Sequence, residues 1–178
     1  MTRLVLATWT MAVLALSVGC DGTAAPFDTT AAARDLAPAP CITPEDTKHM
    51  ADQALQLINL ERGALGIAPV ASDEKLERIA SRYACLLISE GFFGHFEPLT
   101  GDGPGVRAVA GKYAFYTVGE NLAAGQETPA EVIKGWMASR DHRRILLDPQ
   151  FKQVGITVRT GGEYGIYWVA EFGDPVAR

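Results

Sequence analysis

Imidazole is the side chain best suited to transfer a proton or ligate a cation near neutral pH. There are three histidines, His49, His95 and His142. His95 stands between Phe93 and Phe96, where an imidazole can serve as a core residue bonded to a backbone carbonyl. His142 follows Asp141 and precedes Arg143 and Arg144, the surroundings of a solvated turn. Ser139 lies three residues before His142, and with Glu120 the three form a Ser-His-Glu set by composition. No Gly-x-Ser-x-Gly elbow accompanies it, and a serine at a helix end ordinarily bonds the helix terminus. Phosphate-cradling loops and Cys-x-x-Cys pairs are absent from the sequence.

The cysteines carry a different chemistry. Met1-Thr2-Arg3 gives a basic start, and Leu4 to Val18 then runs without a charge to Gly19-Cys20. A basic head, an apolar core too short to span a bilayer with ease and a small residue before the cut describe a signal peptide over residues 1–20. Leu16-Ser17-Val18-Gly19-Cys20 resembles a bacterial lipobox, which makes Cys20 the expected site of acylation and a membrane anchor. Three cysteines are an odd number for an exported chain. With Cys20 lipidated, Cys41 and Cys85 remain as a pair and are expected to form a disulfide, the alternative being two unrelated buried thiols. A bridge would close a loop of about 45 residues and contribute roughly 4 kcal/mol in the chain-entropy model.

Residues 21–40 (DGTAAPFDTTAAARDLAPAP) hold only Phe27 and Leu36 as bulky apolar side chains and show no periodicity, which makes them a linker. Residues 41–178 suffice for one core and not two. Net charge is −5 and no basic run exceeds Arg143-Arg144, so nucleic acid is excluded as an expected partner.

The elements that must position these groups follow from pattern. Thr43-Pro44-Glu45-Asp46 predicts a helix start, with Met50, Ala54, Leu57 and Ile58 at helical spacing and Gly63 to Gly66 as its stop. Ser72-Asp73-Glu74 starts a second helix with Leu76, Ile79, Ala80, Tyr83 and Leu87 on one face, ended by Gly91. Cys85 lies off that stripe. The glycine-rich residues 101–111 read as a loop, and residues 113–118 (YAFYTV) as a strand. Thr128-Pro129-Ala130-Glu131 opens a further helix with Val132, Ile133, Trp136 and Met137 inward. Gln153 to Arg159 and Tyr164 to Phe172 alternate about a glycine turn, the pattern of a β-hairpin. The fold class expected is α+β.

Six segments in this order resemble the CAP superfamily, the cysteine-rich secretory, antigen 5 and pathogenesis-related proteins, and within it the bacterial SCP-like branch. They are residues 59–62 (NLER), 94–98 (GHFEP), 119–123 (GENLA), 128–136 (TPAEVIKGW), 139–146 (SRDHRRIL) and the stretch from Tyr167-Trp168 to Phe172-Gly173. The resemblance spans nearly all of residues 48–174. It implies a three-layer α-β-α sandwich with a small, mainly antiparallel sheet. It also implies a cavity holding two histidines and two glutamates, carried here by His95, Glu120, Glu131 and His142. Glu97-Pro98 stands where the family has Ser-Pro, and Arg140-Asp141 where it has Pro-Gly.

Two imidazoles and two carboxylates around one cavity suit a divalent cation, Zn²⁺ first, with Ca²⁺ or Mg²⁺ as alternatives. Each residue also has an ordinary role. Glu131 stands three residues after Thr128, the capping-box position, and Glu120 could satisfy loop amides. The resemblance implies an exported, cell-envelope binding or scaffold module whose ligand is a small molecule, lipid or peptide. The alternative is a metal-dependent hydrolase of envelope peptides or polymers.

Overall fold

A computed structural model describes residues 38–177. The expected signal segment, the lipobox cysteine Cys20 and residues 21–37 of the expected linker lie outside the described residues. Along the chain run α1 (Thr47–Ala64), β1 (Ala71–Ser72), α2 (Glu74–Ser89), α3 (Pro104–Ala110), β2 (Phe115–Ala124), α4 (Pro129–Ala138), α5 (Arg140–Leu146), β3 (Gln153–Gly161) and β4 (Gly165–Pro175).

The strands form one sheet in the order β1-β3-β4-β2. The hairpin β3–β4 and the pair β2–β4 are antiparallel, and only the two-residue β1 pairs parallel, with Gln153 and Val154 of β3. Side chains alternate across β4, as they must in an extended strand. Trp168, Ala170 and Phe172 pack with Ala54 and Ile58 of α1 and with Val132, Ile133 and Trp136 of α4. Tyr167 and Val169 turn the other way and pack with Ala80, Tyr83, Ala84 and Leu87 of α2. Helices therefore cover both faces, in the α-β-α layering expected.

The second helix begins as its sequence predicts. Asp73 accepts hydrogen bonds from the amides of Lys75 and Leu76 at 2.9 and 3.1 Å, and Gly91 adopts φ +64° just past the helix end. At Gly155 any Cβ would collide with the backbone of Leu76 and Glu77, so glycine lets the start of α2 lie directly on β3.

Three expectations are corrected. The first helix starts at Thr47 rather than Thr43, because Ile42 exchanges 2.9 Å backbone bonds with Thr160 of β3 and the chain turns over Pro44. Within residues 101–111, Pro104 to Ala110 form α3, with Pro104 in the first turn and Ala108 buried against Leu76 and Ile79. The strand expected over 113–118 runs instead from Phe115 to Ala124. Its middle residues Glu120, Asn121 and Leu122 are all buried because helices cover both sheet faces, which erases the polar–apolar alternation.

Cys41 and Cys85 form a disulfide, with Cα atoms 5.2 Å apart. Together with the Ile42–Thr160 bridge it fastens the chain entering the domain to α2 and to the end of β3.

Arg62, wholly buried near the end of α1, is a fastening of another kind. Its guanidinium donates to the carbonyls of Ala68, Leu146, Asp148 and Phe151 at 2.9–3.1 Å. One side chain thus ties the loop after α1 to the loop between α5 and β3.

Candidate functional site

His95 lies in the connection between α2 and α3 and is held from three sides. The Tyr83 hydroxyl donates to the carbonyl of Gly94. Arg107 Nη1 donates to the carbonyls of His95 and Asp102 at 3.1 and 2.9 Å. His95 Nδ1 meets Glu120 Oε1 at 2.7 Å.

Glu120 sits in the middle of β2, 2 % exposed, with Arg107 Nη2 on its other oxygen at 2.5 Å. Consecutive residues of a strand face opposite ways. Glu120 accordingly meets the α2–α3 side, while Asn121 donates to the backbone carbonyl of His142 at 3.0 Å. The two histidine segments are gripped by adjacent residues of the sheet's edge strand. His142 occupies the first turn of α5, and the imidazole centroids of His95 and His142 are 6.5 Å apart.

Glu131 is elsewhere. Its carboxylate accepts from the amides of Glu127 and Thr128 at 3.1 Å, while Thr128 Oγ1 accepts from the Glu131 amide. This is the capping box at the exposed start of α4. Of the four residues implied by the family resemblance, the fold brings together His95, Glu120 and His142. Among the described residues, no group of three or more His, Cys, Asp or Glu side chains is placed to hold a metal ion. Glu120 is occupied by Arg107 and His95, which leaves the two imidazoles as the available donors. They fit a cation whose remaining positions are taken by water or a bound ligand, a weaker shell than the three or four protein ligands usual for Zn²⁺.

Two residues absent from the sequence expectations complete the network. Glu171 of β4 is the register partner of Glu120 and is 2 % exposed. Its Oε1 has no hydrogen-bond partner, and the nearest Arg107 nitrogen is 3.6 Å away. Arg107 is the second, its guanidinium carbon 3.3 Å from the centroid of the Tyr83 ring. One signal for Glu171 was present in the sequence: it falls in phase with Tyr167 and Val169, inward positions of the hairpin. Arg107 carried none, since its helix lies in a stretch that reads as loop.

One guanidinium facing two buried carboxyls cannot balance both charges. Burial raises Glu171 well above the usual carboxylate range, and neighbouring Glu120 raises it further. Burial also lifts Glu120, opposed by Arg107, to about 7. Both imidazoles move down. Burial lowers His95, with Arg107 adding to it, and burial lowers His142, with His95 adding to it. Both rings are therefore neutral at neutral pH, with nitrogen lone pairs available.

Beside His142 a groove of about 420 Å³ runs between β2 and α4, bordered by Phe93, Leu122, Val132, Trp136, Ser139 and Tyr164. His142 is the one ionisable group near neutral pH in its lining. No helix among the described residues is long and apolar enough to cross a membrane.

Comparison with known proteins accounts for this architecture. The chain is 32 % identical over 129 residues to the Bacillus subtilis protein YkwD, covering 72 % of this chain and 49 % of YkwD. It is 26 % identical over 106 residues to the Bacillus subtilis membrane protein YlbC, covering 60 % of this chain and 30 % of that one. The chain thus spans half or less of the curated relatives it matches. Among solved structures, an extracellular SCP-domain protein of Bacillus anthracis aligns with TM-score 0.64 and 27 % identity over 71 % of this chain and 41 % of that one. An outer surface protein of Borrelia burgdorferi shares the fold with TM-score 0.67 and 24 % identity over 72 % and 95 % of the two chains. The profile of the CAP family, described as the cysteine-rich secretory protein family, matches residues 55–172, and the chain belongs to that family.

Proposed function

We propose that this CAP domain is a cell-envelope binding or scaffold module whose ligand enters the groove beside His142 and meets the imidazoles of His95 and His142. The observation that carries it is the 2.7 Å bond from His95 to Glu120 with the second imidazole 6.5 Å away. A carboxylate that holds one ring nitrogen leaves the other free to face a ligand or cation. A bound divalent cation would add Lewis acidity and a site for an exchangeable water. The protein's own contribution is two neutral imidazoles, a fixed ring orientation and an uncharged groove wall.

Titration with Zn²⁺ tests the cation part. An ion bound only by the folded chain raises Tm by mass action. The rise should fade below about pH 6, where imidazole protonates, and should vanish in the double variant His95→Ala, His142→Ala. A Tm indifferent to Zn²⁺ removes the cation and leaves a hydrogen-bonded polar site.

A second function, metal-assisted hydrolysis of envelope peptides or polymers, is supported by the neutral, carboxylate-oriented His95, an arrangement suited to a general base. Turnover of a peptide library favours it, and capture without turnover favours the module.

Export and anchoring through Cys20 belong to the same proposal: export is supported by the extracellular and surface relatives, and anchoring by the lipobox-like segment from Leu16 to Cys20. Cys20→Ala should move the protein from the membrane fraction to the soluble envelope fraction and abolish acyl labelling. Unchanged membrane association overturns the anchor.

A further inference from the structure

The Glu120–His95 bond does not stand alone. A guanidinium is a planar fork that can bind two acceptors at once in fixed geometry, which an ammonium cannot. Arg107 uses its fork to hold one residue at two points. Nη1 takes the backbone carbonyl of His95 at 3.1 Å. Nη2 takes Glu120 Oε2 at 2.5 Å, and Glu120 Oε1 in turn takes the imidazole at 2.7 Å. The guanidinium is itself clamped against the Tyr83 ring at 3.3 Å, and the same tyrosine's hydroxyl holds the carbonyl of Gly94. The backbone of His95 and its ring partner are thus fixed by one group that is nine-tenths buried.

We propose that Arg107 is a positioning residue that fixes His95 as the Nδ1–H tautomer and presents Nε2 to the cavity. With Nη2 donating to Oε2, Glu120 acts as an acceptor, so the hydrogen shared with His95 rests on Nδ1. A free imidazole has no such constraint. Among the described residues, no other cation hydrogen-bonds Glu120. Removing the fork frees the loop carbonyls of His95 and Asp102 and the glutamate together.

The inference builds on the site proposed above, yet its test requires no metal and no turnover. Protein labelled with ¹⁵N in its histidines is measured at pH 8, where imidazole is neutral, and the ring ¹⁵N shifts report which nitrogen carries hydrogen. In the wild type His95 should show the Nδ1–H signature. In Arg107→Gln it should revert to a mixture dominated by Nε2–H, with His49 unchanged as an internal control. Arg107→Lys, which keeps a charge but not the fork, should fall between, and serves as the deciding variant should the glutamine form fail to fold. If the wild type binds Zn²⁺, its affinity should drop about 10–100-fold in Arg107→Gln, the usual cost of losing a group that orients a ligand. A wild-type His95 protonated on Nε2, or folded variants with unchanged Nδ1–H, overturns the role of Arg107. Loss of the Zn²⁺ effect alone overturns only the cation.

Discussion

Glu120 and Glu171 face each other as register partners on neighbouring strands, both buried, with the single guanidinium of Arg107 between them. Like charges directly opposite on one sheet face ordinarily destabilise a strand pair. Here burial and the neighbouring Glu120 raise Glu171 well above the usual carboxylate range, and a proton held on that carboxyl eases the conflict beside the guanidinium–carboxylate pair. Placing such a cluster in a sheet that otherwise packs Tyr167, Val169 and Leu122 on this face costs stability. The cost falls next to His95, which is where the chain gains a fixed imidazole.

The pair makes stability depend on pH with a defined sign. Glu171 has a folded-state pKa well above the unfolded 4.5, so the folded chain holds a proton that the unfolded chain releases. Its contribution is complete below about pH 4.5 and is lost as pH rises through the raised folded value. Glu171→Gln keeps the shape and a donor toward Glu120 but has no proton to lose. Relative to wild type it should flatten the decline of Tm as pH rises above about 4.5 and gain in relative stability as pH rises through the raised folded value. Parallel Tm curves for the two proteins from pH 5 to 9 would count against the buried neutral acid.

The histidines act with the opposite sign. Their folded pKa values lie below 6.5, so their contribution is present above pH 6.5 and is lost as pH falls through that value toward the lowered ones. Because each imidazolium would repel the other, His95→Ala should raise the pKa of His142 toward 6.5, read directly from its ring proton shifts in an NMR titration. An unmoved His142 would show the rings to be electrostatically independent despite their 6.5 Å separation.

Much of the frame was legible from residue patterns. The stripe from Leu76 to Leu87, the hairpin across Gly161 and the capping box at Thr128 each follow from local rules, and each is present. The Cys41–Cys85 bridge followed from cysteine counting. What escaped depends on tertiary context. Strand β2 lost its alternation because both of its faces are covered, and α3 was hidden by Gly101, Gly103 and Gly105. The site was legible only in part for the same reason. His95 and Glu120 are 25 positions apart, and Arg107, which holds both, lies on that unexpected helix. For Glu131 the local capping rule described its bonds better than the family pattern did.

Arg62 should be the costliest single polar side chain to replace in the frame. Arg62→Met fills similar space but removes the guanidinium from four carbonyls, those of Ala68, Leu146, Asp148 and Phe151, of which only Asp148 keeps another donor, the Phe151 amide at 3.3 Å. A buried acceptor left without its partner costs about 1–3 kcal/mol, so a total loss of roughly 3–5 kcal/mol is expected after partial relaxation. Chemical denaturation measures it, and a loss under about 1 kcal/mol would mean that water replaces the guanidinium.

Reduction of the disulfide, or Cys41→Ser with Cys85→Ser, should lower stability by about 2–4 kcal/mol while preserving the sheet. The change removes a constraint on the unfolded chain and frees the segment that Ile42 pins to Thr160. Amide exchange should therefore accelerate first at Ile42 and Thr160. Uniform acceleration across α2 and β4 would show instead that the bridge supports the core.

Glu131 separates a capping role from a metal role. As the third residue of α4 it accepts from the backbone amides of Glu127 and Thr128, so Glu131→Ala removes two hydrogen bonds and should cost about 1 kcal/mol. Glutamine can still reach back to those amides, so Glu131→Gln should retain most of the stability. A cation ligand behaves differently, because an amide oxygen without charge is a far poorer partner for Zn²⁺ than a carboxylate. If Glu131 serves the helix alone, both variants keep the full Zn²⁺-dependent rise in Tm, whereas His142→Ala loses it. A Zn²⁺ response abolished in Glu131→Gln with stability intact would bring Glu131 back into the shell. It would also require α4 to unwind its first turn, which amide protection at Thr128 would report.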